Sequence, residues 1–271
     1  MSFAAIMVHV DASSQSSDRV RVAAQLAQRF GATLIGISAA VLPPYPAESA
    51  YFVTREFVEQ EQRDIAEALK RAESNFRDAA GNKLNLEWRS DIDVPESYIV
   101  SEARSADLLI VGRSDGDISR SLDPGTAVLR AGRPVLVVPP GVTTLKAEHI
   151  VVGWKEGREA RRALQNALPL LQEAKSVTVA EFCDTDVEAS CRRHVADVAT
   201  YLARHGIAEV SENVIAAKVA VAKKLIELAT SEDADIIVTG AYGHSRLGEW
   251  IFGGVTRNLL RSSPICCFLA N

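Results

Sequence analysis

The residues best placed to do chemistry are Gly240-Ala241-Tyr242-Gly243 and, further on, Gly253-Gly254-Val255-Thr256, which follow the apolar run Ala234-Asp235-Ile236-Ile237-Val238-Thr239. Glycines leaving a buried strand expose backbone N–H groups, and such a loop can cradle phosphate oxygens. Gly240 and Gly243 permit positive φ and a close approach of ligand to backbone. Gly253 and Gly254 stand just before a helix expected from about Val255, where unpaired N–H groups and the helix dipole favour an anion. His244, Ser245 and Arg246 lie inside the loop, and Arg246 or Arg257 could neutralise phosphate charge. The same glycines also read as turn punctuation with solvated arginines, in which case no phosphate is held.

Other constellations are weaker. Cys183, Cys191 and His194 suggest a metal cluster, but structural zinc normally takes four ligands in compact pairs, so they read as scattered, satisfied residues and no metal site is assigned. His9 falls on a buried strand and reads as a hydrogen-bonded core or interface histidine. His244 has no nucleophile and orienting carboxylate near it in sequence, so no catalytic residue is assigned. Trp154 and Trp250 could stack on a base, although aromatic residues at strand ends and helix starts more often belong to the core.

The elements that must position the glycines come in two copies. Ala4 to Asp11 resembles His149 to Lys155, Ala106 to Gly112 resembles Ala234 to Gly240, and Arg133 to Val138 occupies the place of Ser263 to Leu269. Between these runs, strand-like and helix-like segments alternate. In the first half they are Ala32 to Ala40, Arg55 to Ala80, Leu84 to Ile92 and Pro95 to Ser105. In the second they are Ser176 to Phe182, Ala189 to His205, Ala208 to Ala217 and Ala220 to Ser231. Such alternation predicts an α/β fold of two tandem, doubly wound parallel-sheet domains, with ligands expected at the carboxyl ends of the strands. The domain boundaries are placed at residues 1–140 and 148–271, with 141–147 as linker. The proline-containing stretch Val41 to Thr54 is an insertion in the first half, read as a surface loop.

Composition excludes several classes. The chain has 271 residues, is 47% hydrophobic and carries a net charge of −5 with its basic residues dispersed, which disfavours nucleic-acid and membrane-surface partners. No apolar segment approaches the roughly 20 residues of a membrane span and no cleavable leader is evident, so a cytoplasmic location is expected. Cys183, Cys191, Cys266 and Cys267 fit reduced thiols better than a disulfide framework.

With these residues assembled, the whole chain resembles a tandem member of the universal stress protein family, of the adenine nucleotide alpha hydrolase-like fold. Its nucleotide-binding members carry glycine, two residues, glycine, nine residues, glycine and Ser or Thr. Gly240, Gly243 and Gly253 keep that spacing, and residues 254–264 resemble the family's last helix and its approach to the final strand. The resemblance implies a stress-response role and an adenine nucleotide, ATP or AMP, held by Lys155, Gly240, Gly243, His244, Arg246, Gly253, Gly254, Val255 and Thr256. Two departures bear on that site. Gly254 replaces the usual hydroxyl residue, for which Thr256 could compensate, and Lys155 stands where the family often has Asp.

The first half keeps Asp11 at the latter position but has Asp115 in place of the second glycine. Counting forward from Gly112 puts Gly125-Thr126 on the last glycine and hydroxyl residue, whereas counting backward from Leu129-Arg130 puts Leu122-Asp123 there. This half reads as a degenerate, structural copy. The resemblance also implies an internal pseudo-dimer in which Val135 to Val138 meets Ile265 to Leu269 across a pseudo-two-fold. An unnamed protein partner and a further homodimer stay open. The alternatives are an interaction protein of the same fold that binds no nucleotide and, less favoured for want of a Walker lysine and an acidic metal pair, a weak ATPase.

Overall fold

A computed structural model describes residues 2–11, 13, 15–42, 54–113, 122–207, 209–217, 219–243 and 254–271. The first half runs β1 (Ala5–His9), α1 (Ser16–Phe30), β2 (Thr33–Ala39), α2 (Arg55–Ala80), β3 (Leu86–Asp91), α3 (Pro95–Glu102), β4 (Leu108–Gly112), α4 (Pro124–Arg130) and β5 (Val135–Val138). The second repeats it as β6 (His149–Trp154), α5 (Arg158–Leu171), β7 (Ser176–Cys183), α6 (Glu188–Arg204), β8 (Val210–Ala216), α7 (Val221–Ser231), β9 (Ile236–Gly240), α8 (Gly254–Ser262) and β10 (Cys266–Ala270).

Local chemistry sets the element ends. Thr54 caps α2 by accepting a hydrogen bond from Phe57 N at 3.2 Å, Gly31 ends α1 in the left-handed region at φ 65°, and Pro95 and Pro124 open α3 and α4, where no amide donor is needed. The strands of each half pair in parallel, and near-continuous apolar runs such as Leu108-Leu109-Ile110-Val111 are buried on both faces. One face carries Val22, Leu26, Phe76, Leu164, Leu168, Val195 and Leu202 from α1, α2, α5 and α6. The other carries Ile99, Val128, Leu225, Leu259 and Leu260 from α3, α4, α7 and α8. Adjacent Cys266 and Cys267 divide between the two cores, and all four cysteines are free and buried.

Ile6 faces Leu108 across β1 and β4 just as Ile150 faces Ile236 across β6 and β9, so the internal repeat holds there, whereas at the last strands the register sets Val135 on Cys267, two places beyond the match of Pro134 with Pro264. The halves join edge to edge. The ten strands form a single sheet in the order β3-β2-β1-β4-β5-β10-β9-β6-β7-β8, and β5 and β10 are its antiparallel pair. Leu109 faces Val135 as Ile237 faces Cys267, which makes Leu136 and Phe268 equivalent positions. These two residues face each other across the junction, so the pseudo-two-fold passes through that pair. The expected meeting of the last strands is therefore observed. The insertion expected from Val41 lies largely outside the described residues.

Phe268 is fully buried on the junction axis. Replacing it by alanine should cost about 3–5 kcal/mol through lost burial and the cavity left behind. The loss should appear as a lower urea midpoint that is the same for probes placed in either half.

Candidate functional site

The glycine segment leaves β9 at the carboxyl edge of the sheet. Gly240 is required there by packing: a Cβ on it would stand 2.5 Å from Ala160 N and 2.6 Å from the Glu159 carbonyl carbon, so strand end and helix start touch backbone to backbone. Ala241 N then donates to Ala270 O at 2.8 Å, and Asn271 Nδ2 donates to Ala241 O at 2.9 Å, which ties the segment to β10. Tyr242 follows at φ 55°, a left-handed conformation uncommon for a residue with a side chain. Its amide donates to Thr256 Oγ1 at 3.3 Å. Thr256 is buried in the first turn of α8, so its hydroxyl staples the loop to the helix. Gly254 is the first residue of α8, one position earlier than expected, and no described atom lies within 4 Å of where its side chain would be. Val255 is half-buried, and Lys155, directly after β6, is exposed. His244, Arg246, Gly253 and Trp250 lie outside the described residues.

Two further groups stand at this edge. Glu159, in the first turn of α5, is only 7% exposed, and its Oε2 comes within 3.3 Å of the Cβ positions of both Gly157 and Gly243. Its Oε1 accepts from Arg158 Nε at 2.6 Å. Trp154, on the last residue of β6, is buried, and its indole Nε1 is the one buried side-chain donor or acceptor without a partner among the described residues. An unpaired buried N–H is costly, and an acceptor brought by a ligand would relieve it.

The equivalent edge of the first half is closed by the chain itself. Arg19, 3% exposed, lies over Gly112, where a Cβ would collide with its Nη1. Its Nε donates to His9 O at 2.7 Å and its Nη2 to Asp11 Oδ2 at 3.0 Å. Asp123 caps α4: its Oδ2 accepts from both Thr126 N and Thr126 Oγ1 at 2.8 Å. Asp123 is the residue before α4, whereas Gly254 is the first residue of α8, so neither count from the sequence superposes the two helix starts. Residues 114–121, with Asp115 and Asp117, lie outside the described residues.

The two edges touch across the junction. The Tyr242 hydroxyl sits 2.5 Å from the Cβ position of Gly125 in α4, beside Asp123, and burial with the Asp123 charge pushes its phenol pKa up. Reciprocally, Arg113 Nη1 donates to Ser263 O at 2.9 Å.

Comparison with known families matches the universal stress protein family model twice, at residues 2–139 and 146–269. The chain belongs to the universal stress protein family. Among solved structures, a universal stress protein from Archaeoglobus fulgidus DSM 4304 is similar over 98% of both chains, with TM-score 0.74 and 14% identity. A functionally unknown protein from Pseudomonas aeruginosa PAO1 is similar over 99% of this chain and 92% of its own, with TM-score 0.57 and 15% identity. At such identities the likeness is one of fold. A comparison with curated proteins returned no match. No helix among the described residues is long and apolar enough to cross a membrane.

The sequence places Gly240 and Gly243 at the carboxyl end of β9, where they are found, but reasoning from it missed Glu159 beside them and Arg19 at the corresponding edge of the first half. Arg19 and Glu159 both lie on the buried stripes of their helices, Arg19 in phase with Ala23 and Glu159 with Ala163. A charge in the apolar phase of a helix was the available signal. His9 is a core residue as expected. Burial, and then the Arg19 charge, lower its pKa from 6.5 to about 4, against the opposing pull of Asp11. Burial raises the Asp11 pKa, but Arg19, His9 and Ser13 outweigh it and bring it down to about 2.

A histidine held neutral in the fold takes up its proton at lower pH than in the unfolded chain. Its stabilising contribution is complete above the unfolded value of 6.5 and is lost as the pH falls toward 4. Urea midpoints should drop between about pH 6.5 and pH 4 by a loss on the order of 3 kcal/mol. His9→Gln should remove most of that slope.

Proposed function

We propose that this universal stress protein binds an adenine nucleotide, ATP or AMP, in its second half and acts in stress response through binding, not turnover. The observation that carries the reading is the difference between the two helix starts: Asp123 caps α4 with its own carboxylate, which accepts from Thr126 N and Oγ1, whereas α8 begins on Gly254, which brings no side chain. In this reading the backbone of Gly243, Gly253, Gly254, Val255 and Thr256 receives phosphate oxygens. Gly240 brings β9 against α5, and Lys155 and Arg246 supply cations where a ribose carboxylate partner is missing. His244 belongs to the same loop in sequence, and Trp154 Nε1 supplies a donor to the nucleoside. The first domain, residues 1–140, serves as the structural copy, joined through 141–147 to the binding domain, 148–271.

Regulation would run through Tyr242. Its amide is tied to Thr256 and its hydroxyl rests on Gly125, so a ligand that reshapes the loop changes a contact with the first half. A ligand shifts such an equilibrium only by its differential affinity for the two arrangements.

A second reading, an interaction protein that binds no nucleotide, is favoured by Glu159. Its carboxylate, though paired with Arg158, would stand beside a phosphate held at Gly243 and repel it.

Titration calorimetry with ATP separates the two. The nucleotide reading expects measurable binding that Gly254→Asp, which puts a carboxylate on the first residue of α8, weakens at least about tenfold. Glu159→Gln should tighten it. No binding to the unaltered chain, or binding that appears only in Glu159→Gln, would favour the second reading, and binding that ignores Gly254→Asp would reject the proposed cradle.

A further inference from the structure

Away from the glycine edge, β7 and α6 bring together groups that the sequence separates. Glu181 and Cys183 are two apart on β7, and Cys191 and His194 are three apart on α6, so each element presents a pair on one face. One ligand atom each from Glu181, Cys191 and His194 lies within 4.8 Å of the other two. His194 Nδ1 is 3.2 Å from Glu181 Oε2. Cys191 and Cys183 are both buried on the facing sides of α6 and β7. Sequence spacing treats these cysteines and the histidine as scattered because it lacks Glu181, which reads as one polar position in an apolar strand.

We propose that Glu181, Cys191 and His194 form a zinc-binding site between β7 and α6. The donor set is one thiolate, one imidazole nitrogen and one carboxylate oxygen. Zinc accepts that mixture in tetrahedral geometry, whereas magnesium and calcium take oxygen ligands. Tetrahedral ligand atoms at zinc stand about 3.5 Å apart, so from separations of up to 4.8 Å the cluster needs to contract by about 1.3 Å at most. Cys191 as thiolate and Glu181 as carboxylate together carry two negative charges against the two positive charges of the ion. The loaded site is therefore close to neutral, which limits the cost of burial for Glu181 and Cys191. Nearby guanidiniums are held elsewhere: Arg192 binds Glu188, and Arg193 donates to Ser190 Oγ. Access is on the helix side, where the His194 side chain is 31% exposed. Cys183, beyond the three ligands, is placed to hydrogen-bond the Cys191 sulfur and fix its orientation, the part outer groups play around metal sites. The fourth coordination position falls to water from the exposed side.

This site stands or fails independently of nucleotide binding. The test uses the full chain, kept reduced and stripped of metal by a chelator, titrated with cobalt(II) and then with zinc. Cobalt should give a thiolate-to-metal charge-transfer band in the near ultraviolet together with the intense visible bands of tetrahedral cobalt, and one equivalent of zinc should bleach both. Cys191→Ser should abolish the charge-transfer band. His194→Gln, at a half-exposed position that should not disturb folding, should weaken zinc binding by at least about a hundredfold. Cys266→Ala, in the core of the junction strand, should leave the spectrum unchanged. Octahedral, charge-transfer-free cobalt spectra, or zinc affinity indifferent to His194→Gln, would overturn the proposal. So would undiminished cobalt binding after Cys191→Ser.

Discussion

Everything in this molecule hangs on the antiparallel contact of β5 with β10. Each half ends its sheet on an apolar strand whose outer edge would otherwise present unpaired amides and carbonyls to solvent, a hazard that edge strands carry in general. Pairing the two edges removes both exposures at once and makes one sheet of ten strands. Because Leu136 and Phe268 are equivalent and face each other, the junction obeys a local two-fold rule even though the halves differ in sequence. That rule brings α4 and α8, and with them the two carboxyl edges, into contact.

Having been brought together, the edges solve one electrostatic problem in opposite ways. A strand-to-helix crossover in such a sheet leaves amides and a positive dipole end pointing at a crevice. The first half answers with its own charges, laying Arg19 across Gly112 and capping α4 with Asp123, while Arg19 is neutralised by Asp11. The second half keeps Gly254 bare, exposes Lys155 and buries Glu159 against the start of α5. The buried charged group is thus a guanidinium at one edge and a carboxylate at the other.

The fold was legible because its determinants are local and repeated. The bounds of α2, Arg55–Ala80, match the sequence reading at both ends, since a proline-bearing stretch precedes it, Thr54 caps it and Gly81 follows it. The strands announced themselves by apolar runs, and the pairing of the halves followed from the resemblance. The site was less legible because what decides it is non-local. Gly240 reads as a ligand glycine in sequence, yet its missing side chain is already explained by Ala160 on another element. Arg19 covers a glycine far along the chain, and Glu181 meets Cys191 and His194 only after a strand and a helix pack face to face. Periodicity tells which face a residue takes, not what it finds there.

The Tyr242 hydroxyl resting over Gly125 has a genetic consequence. Any side chain added at position 125 would strike the tyrosine of the other domain before it disturbed its own helix. A lesion written in the first domain would then be expressed as a defect of the second. In this sense the fused chain is one heritable unit, and its apparently inert copy holds a veto over the loop of its neighbour.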